Sequence, residues 1–499
     1  MRICIIFCAF LMVEMVGLRV YAVTFDEDEI AKLRTFLLQE SAEAGVLNYE
    51  QLGIQLTDDI AWDTISSLKW NSLTLLLEVV DWPDKKLSGD LDFSGFAGLK
   101  YIYCSFNDIK SINVKDCPLL SALDIYTNDL GEIDVTTNFL LKYLRVGNNS
   151  VGNNHIRSVD LSNNPDLNFL CVTRNQIEEL DLSNKAKLAM VTCLGNQMRT
   201  LKIENCISLE SISCDMNQLE SLNLYNLPSL QSLSCMYNNI NDLPLYNCVS
   251  LREFSCTDNN ISTLDFSGCT DLSVLRCEDN QLTSINLEGC ERLTTIHCEN
   301  NLLSSLDVSQ MPLLSTLTCK FNYLSFLTLP VPSEQMTTYS YAPQKYISLE
   351  FSYDHIDMSD LYSIHDHVSN IAWRYQYVPI SPLKSEEGVF AFDESYIGKT
   401  VICQVQNTIL PMLVMHYDVT FTQSDVGNGN PASSRPAVYA SEQSVHVVTD
   451  SPAIVSIYTL QGALQLKKTV GEGHTRIPVE RGIYGVVVDD KACYKVIVR

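Results

Sequence analysis

The chain is poor in basic residues for its length. Its 499 residues include 34 Lys and Arg against 60 Asp and Glu, so the formal net charge is -26 at pH 7. Nucleic-acid binding needs a basic surface that neutralises phosphates, and anionic membranes likewise attract clusters of Lys and Arg. The composition therefore argues against a nucleic-acid partner and against tight binding to an anionic membrane. It suits a large exported protein that must stay soluble.

Motifs of the common enzyme classes are absent as well. The sequence contains no G-x-S-x-G, H-E-x-x-H, P-loop or G-x-G-x-x-G motif, and no C-x-x-C pair of the kind that binds zinc. The metal-type ligands that cluster along the sequence are only His355, His365, Asp366 and His367. A polar turn explains this cluster more simply than a zinc site does. We therefore expect no enzymatic activity, no cofactor and no metal, with a hydrolase site in residues 343–422 as the weaker alternative.

Long apolar runs are missing except near the first residue. Residues 3–18 are mostly apolar, Arg2 precedes them, and Val20-Tyr21-Ala22 follows with residues small enough for cleavage. Glu14 interrupts the run, which is too short to span a bilayer. The pattern predicts a secretory signal over residues 1–22 and no transmembrane segment. We therefore expect a secreted or cell-surface protein, associated with the outer membrane.

In place of such features the chain repeats one 21-residue pattern eleven times. Each copy has an asparagine, a leucine eight residues before it, and further apolar residues at fixed offsets. The asparagines are Asn107, Asn128, Asn149, Asn175, Asn196, Asn217, Asn238, Asn259, Asn280, Asn301 and Asn322. Units of this length cannot bury an apolar face alone, so the period predicts stacked units. We expect a short strand that ends at each asparagine, and a second, shorter ladder in the other half of the repeat.

The core of the pattern, L-x-x-L-x-C-x-x-N-x-L, resembles the bacterial 21-residue class of leucine-rich repeats. The resemblance covers nearly half the chain and implies a leucine-rich repeat solenoid over residues 99–330, in a protein that is mainly β. Such repeats usually have a binding role. The spacing changes once, between Asn149 and Asn175, where residues 150–154 read as a tolerated insertion. A bulge beside the binding face is the alternative.

Residues 23–98 are expected to form a cap on the N-terminal end of the solenoid, because the first repeat would otherwise expose apolar core. Asp26 followed by Glu29 resembles a capping box. The apolar residues of one helical face then follow, namely Ile30, Leu33, Phe36 and Leu37. Three of the four tryptophans also lie in this segment. The cap is therefore predicted to be a helix that leads into a Trp-rich segment.

Sixteen cysteines remain after the predicted signal, and most occupy two columns of the repeat. Three residues before the asparagine lie Cys104, Cys193, Cys214, Cys235, Cys256, Cys277, Cys298 and Cys319. Ten residues after it lie Cys117, Cys206, Cys248, Cys269 and Cys290. Other copies carry Ile, Val, Leu or Met at these positions, so both columns read as apolar and inward. Neighbours about 4.8 Å apart with parallel Cβ vectors are too widely spaced for disulfides, so we expect buried thiols.

Beyond the repeats, residues 331–422 switch to short β-like runs. Trp373, followed thirty residues later by Cys403, resembles the Trp and second Cys of immunoglobulin domains. The first Cys of that pattern is missing, because Leu349 or Phe351 occupies the expected strand. The resemblance therefore implies an Ig-like β-sandwich without its disulfide.

The C-terminal part divides into a linker and a small β domain. Residues 423–438 are rich in Gly, Asn, Ser and Pro and read as a linker. Residues 439–499 are again β-like. Their motifs over 455–462 and 481–484 resemble the C-terminal sorting domains of Bacteroidota, and the type IX secretion signal in particular. The sequence lacks the Pro-Asn-Pro opening of that signal near Val438.

The predicted concave face of the solenoid carries the candidate binding residues. They are the outward strand positions, which lie four and two residues before each asparagine, together with neighbouring aromatic positions. We select Tyr101, Tyr103, Tyr126, Arg145, Phe169, Arg276, Glu278, His297 and Glu299. Aromatic residues dominate the first copies and charged residues the last, and Tyr and Arg on a rigid sheet are frequent hot-spot residues. That Tyr and Thr simply suit exposed strands is the competing explanation.

These features together predict an exported, cell-surface solenoid that binds a protein or glycan ligand with its aromatic N-terminal half. A ligand derived from a host is one candidate. The charged end would tune orientation and pH response. A structural spacer or envelope scaffold, whose face binds nothing specific, is the main alternative.

Overall fold

The computed structural model describes residues 24–57, 60–149, 153–364 and 366–422, and the strands of a C-terminal unit between 437 and 498. The predicted signal peptide and residues 423–436 of the predicted linker lie outside the described residues. The chain forms two compact units, Met1–Thr422 and Gln423–Arg499. No helix among the described residues is long and apolar enough to cross a membrane.

The N-terminal segment, predicted to be a cap, adjoins the first repeat through a parallel strand pair. Its elements are helices α1 (Glu27–Leu37) and α2 (Asn48–Gln51), a 3₁₀ turn (Trp62–Thr64), and strands β1 (Leu68–Trp70), β2 (Leu77–Asp81) and β3 (Ser88–Asp92). Helix α1 buries Leu33, Phe36 and Leu37. The Phe36 ring stacks on Trp82 at 5.7 Å, so apolar rings cover the end of the repeat core.

Only half of the predicted capping box forms. The Asp26 carboxylate accepts the backbone N–H groups of Asp28 and Glu29, but the Glu29 side chain does not return to Asp26. It turns inward and accepts the N–H of Leu77 in β2 at 3.4 Å. Burial raises the pKa of Glu29 to about 7, against the opposing effect of this hydrogen bond.

The repeats stack into one 14-stranded sheet, called the long sheet below. Strand β1 pairs antiparallel with β2, and every later pair is parallel. The strands that follow β2 in this sheet are β4 (Tyr101–Tyr103), β6 (Ala122–Asp124), β7 (Tyr143–Arg145), β8 (Phe169–Cys171), β10 (Met190–Thr192), β12 (Ser211–Ser213), β14 (Ser232–Ser234), β16 (Glu253–Ser255), β18 (Val274–Arg276), β20 (Thr295–His297), β21 (Thr316–Thr318) and β22 (Thr338–Ser340). In the strands of this sheet from β4 to β21 the middle residue is buried, and its neighbours form the outer face.

A second, shorter ladder forms in the other half of the repeats, as predicted, but it is interrupted. It consists of two-stranded parallel sheets. Besides β3, their strands are β5 (Asp108–Asn113), β9 (Glu179–Asp181), β11 (Thr200–Lys202), β13 (Leu224–Tyr225), β15 (Leu245–Tyr246), β17 (Thr263–Asp265) and β19 (Ser284–Asn286). Together with the long sheet they make a leucine-rich repeat solenoid of about twelve turns.

The column asparagines join each turn to the one before it. The Asn238 amide Nδ2 donates to the carbonyls of Cys214 and Cys235, both at 3.1 Å. Its Oδ1 accepts the N–H of Leu219 at 3.1 Å. One buried side chain thus satisfies backbone groups in its own turn and in the preceding one.

The structure corrects two details of the repeat. In the third copy Asn154, not Asn149, occupies the column, because its Oδ1 accepts the N–H of Leu130 and its Nδ2 reaches the Val146 carbonyl. The insertion therefore precedes Asn154. The period also does not stop at residue 330, because β22 adds a further strand and Gln344 takes the place of the next asparagine.

The fifteen cysteines between Cys104 and Cys403 are all unpaired and buried. The sequence predicts that the second column is purely apolar, but side chains of this column also donate hydrogen bonds to backbone carbonyls. The Cys206 thiol donates to the Leu182 carbonyl at 3.1 Å, and Asn138 in the same column donates to the Val114 carbonyl at 2.9 Å. Each reaches the carbonyl 24 residues earlier. Burial raises the pKa of the column thiols, Cys256 among them, so they stay neutral at physiological pH.

Residues 347–422 form further strands beside the repeats within the first unit. The elements are β23 (Ile347–Ser352), β24 (Ile356–Asp357), α3 (Ser359–Tyr362), β25 (Ser363–Ile364), β26 (His367–Val368), β27 (Asn370–Tyr375), β28 (Val378–Ile380), β29 (Lys384–Glu386), β30 (Val389–Ala391), a 3₁₀ turn (Glu394–Tyr396), β31 (Thr400–Gln406) and β32 (Val414–Thr422). A five-stranded sheet has the order β23-β32-β31-β27-β28, and a three-stranded sheet the order β24-β30-β29. Trp373 lies opposite Cys403 on adjacent strands and packs against Phe392. The Ig-like assignment stays a prediction.

The described residues of the second unit form seven strands in two sheets. They are β33 (Ala437–Ser441), β34 (Ser444–Thr449), β35 (Ala453–Thr459), β36 (Leu464–Val470), β37 (Gly473–Pro478), β38 (Gly482–Val488) and β39 (Ala492–Val498). The first sheet has the order β33-β34-β37 and the second β36-β35-β38-β39. The unit has a hydrophobic cluster of its own, which includes Val447, Ile457 and Val486.

Replacing Asn238 with Leu should lower the free energy of unfolding by about 3 kcal/mol or more. Three buried backbone groups lose their hydrogen-bond partner, and each unsatisfied group costs about 1–3 kcal/mol. Urea denaturation of the two proteins measures the difference. The matched control is Asn239→Leu, since Asn239 is exposed and should change stability by about 0.5 kcal/mol or less. If both variants lose the same free energy of unfolding, the hydrogen bonds of the asparagine column do not contribute to stability as proposed.

Thiol titration tests the state of the cysteines. We expect the native protein to react slowly, and the unfolded protein to show all its thiols without added reductant. Thiols that appear only after reduction would establish disulfides instead. Cys256→Ser should destabilise the protein by about 1–3 kcal/mol, because it places a hydroxyl in an apolar site. Cys256→Val should be tolerated.

Candidate functional site

The aromatic residues of the first turns lie together on the outer face of the long sheet. Tyr101 and Tyr103 are 39% and 36% exposed, and their rings are parallel at 6.4 Å. Tyr143 and Phe169 stack at 4.5 Å with nearly parallel planes. The second pair faces across neighbouring strands because β7 and β8 place the two residues in register. These four rings, with Tyr126 and Arg145, are called the aromatic patch below.

Arg145 occupies the middle of the aromatic patch and is held by its neighbours. Its guanidinium lies 3.7 Å from the centre of the Tyr126 ring, and Nη1 is 3.2 Å from the Asp124 carboxylate. Asp124 raises the pKa of Arg145 against the effect of partial burial, so the guanidinium stays charged. The contacts leave donor groups of Arg145 for a ligand but cover one face of Tyr126.

A groove borders the aromatic patch on one side. It is lined by Lys142, Tyr143, Asp166, Asn168, Phe169 and Lys187. Lys187 pairs with Asp166 at 2.5 Å across neighbouring turns. The groove thus combines a stacked pair of rings with amide and charged groups, which is the composition of a site that binds by contact area and a few hydrogen bonds.

The charged residues selected from the last turns lie at a separate place on the same face. Glu278, His297 and Glu299 lie close together and are partly buried, whereas Arg276 is exposed at the end of β18. Glu278, His297 and Glu299 are also metal-type ligands, so the prediction that such ligands cluster only near His355 is wrong. His365 lies outside the described residues, and His367 bonds Thr408 through Nδ1 at 2.9 Å.

Sequence reasoning also missed the partners that hold these side chains. Asp124, which fixes Arg145, lies 21 residues before it, at the same position of the preceding repeat. Thr257 and Thr318 contact Glu278 and His297 in the same manner, one repeat away. A search for complementary residues at multiples of 21 would have found all three contacts.

Comparisons with known proteins give low-identity matches to solved structures. No family model matches the chain, and no curated protein matches it. The functional domain of InlJ from Listeria monocytogenes, described as including a cysteine ladder, is 18% identical over 75% of this chain and 95% of that chain, with a TM-score of 0.39. The leucine-rich effector YopM from Yersinia pestis is 24% identical over 53% and 80%, with a TM-score of 0.39.

A third similar structure is a chain of the LRIM1/APL1C complex. It is 19% identical over 54% of this chain and 52% of that chain, with a TM-score of 0.42. At these identities and TM-scores the similarities assign no role to any residue of this chain.

Proposed function

We propose that this protein is an exported, cell-surface binding protein without enzymatic activity, and that its aromatic patch recognises a protein ligand. The observation that carries the proposal is the grouping of stacked, partly exposed rings around one charged Arg145. Rings on a rigid sheet provide large contact area with little loss of conformational entropy on binding. The outer face is aromatic at its N-terminal end and charged at its other end, and a structural spacer that binds nothing would not require that difference.

A glycan is the second candidate ligand. The groove beside Tyr143 and Phe169 supports it, because the stacked pair borders amide and charged side chains. Flat rings stack on the apolar faces of sugars, while such polar groups bond to hydroxyls. A glycan array and a panel of purified ectodomains, host proteins among them, would separate the two classes.

The binding proposal predicts a specific loss in one double variant. Tyr103→Ala with Tyr126→Ala leaves the buried Leu, Cys and Asn columns untouched, so the fold should survive. Affinity for the ligand found in the screens should fall at least tenfold, about 1.4 kcal/mol. The matched control is Arg276→Ala with Glu299→Ala at the other end of the face. If only the Arg276→Ala, Glu299→Ala protein loses binding, the site lies at the charged end of the face and the assignment to the aromatic patch is wrong.

The C-terminal unit is proposed to direct or anchor the protein at the surface of a Bacteroidota-type bacterium. The resemblance of residues 439–499 to sorting domains suggests this role, and the separate hydrophobic cluster of the unit supports independent folding. A protein truncated after Gln423 should therefore melt like the full chain but should not reach the cell surface. Surface labelling of cells that express both forms measures the difference. Normal display of the truncated form would refute the sorting role.

A further inference from the structure

A cluster of three metal-type ligands lies on the outer face of the long sheet, far along the ladder from the aromatic patch. Glu278, His297 and Glu299 each offer one ligand atom, and these atoms lie within 4.8 Å of one another. His297 ends β20 and Glu299 follows on the same face two residues later. Glu278 holds the position of Glu299 in the preceding repeat. The register of the repeats, and no sequence motif, brings the three together.

The backbone beneath this cluster is fixed by the ladder. The N–H of Cys277 donates to the carbonyl of His297 at 2.9 Å, and the N–H of Asp279 donates to that of Glu299 at 3.0 Å. These two bonds flank Glu278 and tie its turn to the turn that carries the other two ligands. The three side chains therefore project from a preorganised surface, which reduces the entropy lost on binding an ion.

Two ligands are also oriented by threonines of the adjoining turns. His297 Nδ1 is 2.7 Å from the Thr318 hydroxyl oxygen. When the Thr318 hydroxyl oxygen accepts a hydrogen bond from Nδ1–H, the lone pair of Nε2 is left for a metal. On the other side the Thr257 hydroxyl donates to Oε2 of Glu278 at 2.7 Å. Hydrogen bonds of this kind set the orientation of metal-binding imidazoles and carboxylates.

The surroundings of the Glu299 carboxylate are a second observation that favours a bound cation. Its Oε2 atom is shielded from solvent and accepts no hydrogen bond from any described residue. A shielded carboxylate oxygen without a partner is costly, and a second carboxylate nearby adds repulsion. Arg276 and Lys320 occupy neighbouring column positions, but among the ion pairs of the described residues neither side chain pairs with Glu278 or Glu299.

We propose that Glu278, His297 and Glu299 bind one divalent transition-metal ion of the Zn²⁺ type. One imidazole nitrogen with carboxylate oxygens suits such ions, whereas Ca²⁺ and Mg²⁺ prefer oxygen ligands throughout. Donors about 2.1 Å from a tetrahedral ion lie roughly 3.4 Å apart, so small side-chain rotations close the site. Three protein ligands leave a coordination position open for water or for a group of a bound molecule. The site is independent of the proposed function of the aromatic patch.

Metal binding to the purified full chain tests the proposal. Equilibrium dialysis against ZnCl₂ should give one tightly bound ion per chain, and His297→Ala or Glu299→Gln should weaken binding at least tenfold. Thr318→Val, which keeps all three ligands, should weaken it about tenfold through loss of orientation. Co²⁺ loaded in place of Zn²⁺ should give visible d–d absorption without a thiolate charge-transfer band. That band would assign the metal to cysteines and overturn the proposal.

Matched controls separate this site from general attraction to an acidic protein. Glu291→Gln removes one exposed carboxylate from the same repeat, and His155→Ala removes an exposed imidazole from an early one. Both should bind metal like the parent, and circular dichroism should confirm that every variant is folded. Absence of stoichiometric binding would overturn the proposal. Equal losses in Glu291→Gln and Glu299→Gln would also overturn it, because they would indicate diffuse charge attraction.

Discussion

The hydrogen bonds of the column asparagines couple every turn of the solenoid to its neighbour. In the regular repeats from Asn196 to Asn322, each amide bonds to a carbonyl 24 residues earlier and to an N–H 19 residues earlier, as Asn259 does with Cys235 and Ile240. Stacking removes these backbone groups from water, and the asparagine of the next turn then supplies the partners that they would otherwise lack, so apolar burial and hydrogen bonding stabilise the stack together. Both ends of the ladder must then be completed by residues outside the regular repeats.

The two ends meet this requirement in different ways. At the N-terminal end Asn107 bonds to the Trp82 carbonyl and the Leu87 N–H, which belong to the cap. At the other end Gln344 replaces asparagine and lies 22 residues after Asn322 rather than 21. Its longer side chain still reaches the Cys319 carbonyl and the N–H of Asn322. One extra methylene compensates for one extra residue in the chain.

The sequence pattern was sufficient to predict the solenoid, its leucine and asparagine columns, and the burial of the cysteines. The pattern gave the wrong residue where two asparagines fit the spacing and only the hydrogen bonds of the folded chain distinguish them. Counting 21 forward from Asn128 selects Asn149, but the Leu130 N–H and Val146 carbonyl are met by Asn154. The cluster of Glu278, His297 and Glu299 was named residue by residue, yet its geometry was missed, because spacings of 2, 19 and 21 form no local motif. The Ig-like and sorting assignments rest on resemblance and stay predictions.

The constant register also decides what kind of partner the outer face can serve. Six strand steps separate Tyr143 in β7 from Arg276 in β18, and steps of about 4.8 Å place the two regions roughly 29 Å apart. A small molecule cannot contact the aromatic patch and the carboxylate–histidine cluster together, whereas a folded protein or an extended glycan chain can. The asparagine ladder keeps that separation nearly constant, because no turn can shift without breaking its buried hydrogen bonds. If both regions act on one partner, that partner must be a macromolecule with matching groups at this fixed spacing.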